Sequence, residues 1–81
     1  MIRELETLIS FIEENNIIEK FKRDDFSRFI ISRGLSLQTT KNYIYTLKLM
    51  KLIKIDETDK NKLIIIKQNI EEQKKFEVGV L

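Results

Sequence analysis

Apolar side chains near the N-terminus recur at three- and four-residue steps: Ile2, Leu5, Leu8, Ile9 and Ile12. This spacing predicts an amphipathic helix over residues 2–14, with Glu4, Glu6, Glu13 and Glu14 on the opposite face and Asn15-Asn16 as its stop. The next apolar stretch, Ile17 to Phe21, fits either a brief strand or an extended connection. Asp24 and Asp25 then stand where a helix N-terminus favours negative charge, and Phe26, Phe29 and Ile30 form the buried stripe of a second helix over 23–33. Gly34 ends that helix, because glycine takes the left-handed conformation without a steric penalty. Ser36, a good N-cap, opens a third helix over 37–51. On it Leu37, Thr40, Ile44, Leu47 and Met50 face inward, while Gln38, Thr39, Lys41, Asn42, Tyr45 and Lys48 face outward.

Past this helix the pattern changes. Residues 52–56 and 63–67 are rich in β-branched side chains and flank a polar stretch, so 52–67 reads as a hairpin turned at Asp59, Lys60 and Asn61. Its tip carries Lys60 and Lys62. In the tail, residues 68–81, Asn69 and Glu72 have capping-box spacing, and the segment reads as either a frayed helix or part of a dimer contact.

The chain has 81 residues, enough for one domain, and its 14 isoleucines and nine leucines supply bulk for one aliphatic core. Cysteine and histidine are absent, which removes thiolate and imidazole metal sites, cysteine nucleophiles and histidine acid/base pairs. The expectation is therefore a protein that is not an enzyme, with no cofactor, no metal and no small-molecule ligand. No apolar run approaches the roughly 20 residues that span a bilayer, and no signal region is visible at the N-terminus, so a cytoplasmic protein without a membrane partner is expected. The net charge of +2 hides an asymmetry: residues 1–19 carry −4, residues 20–54 carry +7 and residues 55–81 carry −1. A basic middle between acidic flanks suits a polyanion-binding face on a balanced surface.

The stretch Ser32-Arg33-Gly34-Leu35-Ser36, then Thr40, Ile44 and Leu47, and the exit Leu52-Ile53-Lys54-Ile55 resemble the turn, recognition helix and wing entry of the winged helix-turn-helix DNA-binding family. That family includes small regulators of archaea and their viruses or plasmids. The resemblance spans residues 2–67 and departs at Lys51, where members often have glycine. It implies a mainly α fold with a small β-hairpin, that is, three helices plus a wing with room for a C-terminal helix, and a regulator of transcription that binds double-stranded DNA.

The residues themselves supply suitable chemistry. Gln38 and Asn42 have amides able to pair with adenine, Lys41 can reach guanine or phosphate, and Thr39 can touch a thymine methyl or a backbone oxygen. Ser36, Tyr45, Lys48 and Arg33, with Lys60 and Lys62 of the wing, complete the candidate DNA-binding set, mostly toward phosphate. Arg28, Lys20 and Lys22 read as backbone contacts or simple solvation, and Tyr43 as an aromatic at the core edge. A homodimer is expected, with the first helix and Ile70, Phe76, Val78, Val80 and Leu81 as its contact.

Two alternatives compete. The same fold can serve as a protein-interaction subunit of a transcription or replication assembly, which acidic side chains covering the third helix would favour. The segment from Ser32 to Tyr43 also resembles the all-helical core-binding domain with which tyrosine recombinases clamp DNA.

Overall fold

Helix α1 (Arg3–Glu14) buries Leu5, Leu8 and Phe11, and Phe11 is the hub of the core. Its ring meets Phe21, Phe26 and Phe29 edge-on at centroid distances of 5.1, 5.2 and 5.3 Å, the geometry that aromatic quadrupoles favour. The expected stripe is thereby rotated: Phe11 is central, Ile9 and Ile12 are half-buried, and Ile2, just before the helix, is exposed. The structure, a computed structural model, describes residues 1–79 and the side chains of residues 1–75.

After α1 come β1 (Lys20–Lys22), α2 (Arg23–Ser32), α3 (Leu37–Leu49), β2 (Ile53–Ile55), β3 (Lys62–Ile65) and α4 (Lys67–Gly79). Residues 17–21 thus end in a true strand. The three strands form one antiparallel sheet in the order β1-β3-β2. Phe21 pairs with Leu63 and Ile53 with Ile65, while Lys54 and Lys20 both stand opposite Ile64. Pleating sends Phe21, Leu63 and Ile53 inward against Phe26, Ile30, Ile44 and Leu47 of the helices. The hairpin strands differ from 52–56 and 63–67: β2 covers only 53–55, although the Asp56 N–H still donates to the Lys62 carbonyl at 3.0 Å, and β3 starts one residue earlier and stops at Ile65 because α4 begins at Lys67. The fold is mainly α with a β-hairpin, and the run after Met50 turns back instead of continuing as a helix, which excludes the all-helical arrangement.

Helices α1, α2 and α3 all end the same way. Asn16, Gly34 and Lys51 have φ of +53, +83 and +59. Each is followed by an apolar residue whose N–H reaches back into the last turn: Ile17 to Ile12, Leu35 to Ile30 and Leu52 to Leu47, at 3.0, 3.3 and 3.0 Å. This is the Schellman ending, which satisfies the last carbonyls and aims the chain at the next element. Helix α3 therefore stops at Leu49, with Met50 as cap and Lys51 outside it, short of the expected 51.

The tail forms a regular helix with Ile70 in the core. Asn69 lies inside its first turn and is not its cap; the Asn69 side chain instead donates to the Lys51 carbonyl at 2.7 Å and ties α4 to the end of α3. The expected contribution of the Phe76, Val78, Val80 and Leu81 side chains to a dimer contact lies outside the described residues. No helix among the described residues is long and apolar enough to cross a membrane.

Candidate nucleic-acid interface

Four residues separate α2 from α3, and they are held from both ends. The Gly34 ending fixes the exit from α2, and the Ser36 hydroxyl accepts from the Thr39 N–H at 3.1 Å and fixes the entry to α3. Thr39 Oγ1 lies 3.0 Å from Ser36 Oγ, so both hydroxyls are engaged at the cap. Helix α3 buries Thr40, Tyr43, Ile44 and Leu47. Leu37, expected to face inward, is 54% exposed, because it precedes the turn at which this buried stripe begins.

The outward side of α3 brings Gln38, Lys41, Asn42 and Tyr45 together at helical spacing, with Leu49 one turn further. Gln38 Nε2 donates to Asn42 Oδ1 at 3.1 Å, which orients the two amides side by side. Lys48 is half-buried at the edge of this strip, and Thr39 is half-buried behind it. Between Ser36 and Ile55 there is no acidic residue, and among the described residues no ion pair engages Lys41, Lys48, Lys51 or Lys54.

The other expected basic residues are placed differently. Arg33 bonds Glu14 at 3.0 Å and lies over the Phe29 ring at 4.6 Å, so it links the ends of α1 and α2. Arg28 pairs with Asp25 inside α2 at 2.8 Å. Lys60 stands exposed at the hairpin turn, next in sequence to Asp59. Lys62 is not at the tip: it is the first residue of β3, 4.0 Å from Asp59 and directly opposite Lys22 of β1.

The concentration of positive charge near the hairpin is instead on the outer face of the sheet. Pleating puts Lys20, Lys22, Lys54 and Lys62 on that face around Ile64, with Asp56 paired to Lys20 and Asp59 within 4.0 Å of Lys62. Asp56 accepts from the Thr58 hydroxyl at 2.8 Å, from the Thr58 N–H at 2.9 Å and from Lys20 Nζ at 3.3 Å. These bonds, those from Thr58 foremost, hold its carboxyl below the ordinary 3.8 at about 2. Sequence reasoning left Lys54 out of the candidate set and read Lys20 and Lys22 as backbone contacts or simple solvation; the signal was the alternation Lys20-Phe21-Lys22 and Ile53-Lys54-Ile55, which makes a patch only once β1 joins the hairpin. Compared with protein-family models, curated proteins and solved structures, the chain matches none.

Proposed function

We propose that the chain is a winged helix-turn-helix protein that binds double-stranded DNA in a sequence-specific manner and regulates transcription in the cytoplasm. Helix α3 enters the major groove, and the hairpin with its lysine-bearing sheet face meets the phosphate backbone. The observation that carries this reading is the α3 face: amides, a lysine and a tyrosine exposed together, with no carboxylate from Ser36 to Ile55 to repel phosphate. The acidic side chains of α1 leave Gln38, Lys41, Asn42 and Tyr45 exposed; Glu14 is engaged by Arg33, and Glu6 lines a surface pocket with Arg33, Leu35 and the buried Tyr43. A homodimer would set two such helices on successive half-sites of a palindromic operator.

A second reading, a protein-interaction subunit, is favoured by the exposure of Tyr45 and Leu49 on the same helix. Retardation of labelled duplexes by the purified chain across a salt series separates the two. DNA binding requires affinity that falls steeply with salt, and Lys41→Ala or Asn42→Ala should reduce discrimination for the preferred site by about 1–3 kcal/mol each. No shift at low salt would leave the protein-binding reading in place of this one.

A further inference from the structure

The α3 strip is unusual in what it lacks as well as in what it holds. Gln38, Asn42, Tyr45 and Leu49 fall within about 60° of helix circumference and about 16 Å of helix length. The sequence has no arginine after Arg33, so the residue that most often pairs with guanine is missing from α3, and its only cations, Lys41 and the half-buried Lys48, stand at the strip's edge. Tyr45 and Leu49 are 63% and 65% exposed. In a major groove such side chains need an apolar partner, and the group that base edges offer there is the thymine 5-methyl.

The amides point the same way. With Gln38 Nε2 donating to Asn42 Oδ1, the Asn42 amide hydrogens and the Gln38 carbonyl oxygen have no partner among the described residues. A donor next to an acceptor complements adenine, which presents N7 as acceptor and its exocyclic amine as donor.

We infer that the α3 face is specific for adenine–thymine pairs read from the major groove, with Gln38 and Asn42 on adenine and Tyr45 and Leu49 on thymine methyl groups. This rests on the DNA-binding reading above. The test selects duplexes from a randomised pool with the full-length chain, then remakes the enriched duplex with uracil in place of every thymine. Uracil keeps all the hydrogen bonds and removes only the methyl. The enriched core should be rich in A·T pairs, and uracil should weaken binding about fourfold for each contacted methyl, the value of one buried methyl-sized group. In Leu49→Ala and Tyr45→Ala, which change exposed side chains, part of that sensitivity should disappear. An enriched site dominated by G·C pairs, or equal affinity for the uracil and thymine duplexes, overturns the inference and leaves DNA binding standing. Failure of every duplex to bind at low salt removes the DNA-binding reading itself.

Discussion

Lys51 occupies the left-handed region, φ +59, where α3 hands over to Leu52. Its backbone is in demand there: the N–H donates to the Lys48 carbonyl at 3.0 Å, and its own carbonyl accepts from Asn69 at 2.7 Å. Its exposed side chain only disfavours the conformation, by about 1 kcal/mol relative to glycine. Lys51→Gly should therefore raise stability by about 0.5 kcal/mol, since the looser unfolded chain offsets part of the gain. Urea unfolding checks this, and a lowered midpoint would show that the backbone at 51 is not left-handed. Thr40 presents the opposite situation. Its buried Oγ1 has no hydrogen-bond partner among the described residues. Desolvating an unpaired hydroxyl costs about 1–3 kcal/mol, so Thr40→Val, nearly the same shape, should stabilise the fold by about 1 kcal/mol. DNA affinity should not change, because Thr40 faces the core. A lower melting temperature for this variant would mean that the hydroxyl does have a partner.

The element whose behaviour depends most on one side chain is the β2–β3 hairpin. Asp56 organises its turn through Thr58 and fastens it to β1 through Lys20. A carboxyl held below its ordinary 3.8, at about 2, stabilises the fold above that ordinary value and loses its contribution as pH falls toward the depressed one. The wild type should thus lose melting temperature between about pH 4 and pH 2, and Asp56→Asn should be less stable at neutral pH with a flatter profile over that window. Parallel profiles would remove Asp56 as the cause. Helices α1, α2 and α3 were legible in the sequence because each repeats an apolar stripe. Helices α1 and α2 also end on residues suited to left-handed backbone, Asn16 and Gly34, whereas α3 hands over at Lys51, which is not, and its end was expected two residues too late. The sheet was only half legible. A hairpin shows as two adjacent alternating runs, but the pairing of β1 with β3 joins residues about 40 positions apart, and nothing local marks it. For the same reason the lysine patch on the outer face was invisible, and so was the role of Asp56, which read as the end of a strand. On α3 the spacing marked Gln38, Lys41, Asn42 and Tyr45 as exposed, which they are, but Thr39 and Lys48 are half-buried, Leu37 is exposed instead of inward, and the exposed Leu49 was in neither set, because periodicity says which side a residue faces but not whether a neighbour covers it.

At the scale of the whole molecule, a groove between α1 and α4 remains to be explained. Ile9, Ile12, Ile17, Ile18 and Ile65 line it above Ile70, and none of them lies on α3 or on the outer face of the sheet. Ile18 is 86% exposed, a large aliphatic side chain left in water where the loop before β1 could have carried a polar one. The rim holds both signs of charge, Glu13 and Glu71 with Lys67 and Lys74. A surface that is apolar in the centre and carries both charges at its edge can meet its own copy under a two-fold rotation that sets Glu against Lys, and a second copy of the chain is the partner proposed for it. Such a dimer would leave both α3 faces open, as binding to a palindromic site requires. The full-length protein should sediment as a dimer at micromolar concentration, and Ile18→Glu should sediment as a monomer. Its melting temperature measured at a concentration too low for dimers should match the wild type, because a side chain this exposed contributes little to the fold of one subunit. Weaker binding of Ile18→Glu to a palindromic duplex, with unchanged binding to an isolated half-site, would tie the dimer to the proposed function. A wild-type chain that stays monomeric with and without DNA, or an Ile18→Glu dimer as tight as the wild type, rules out this interface.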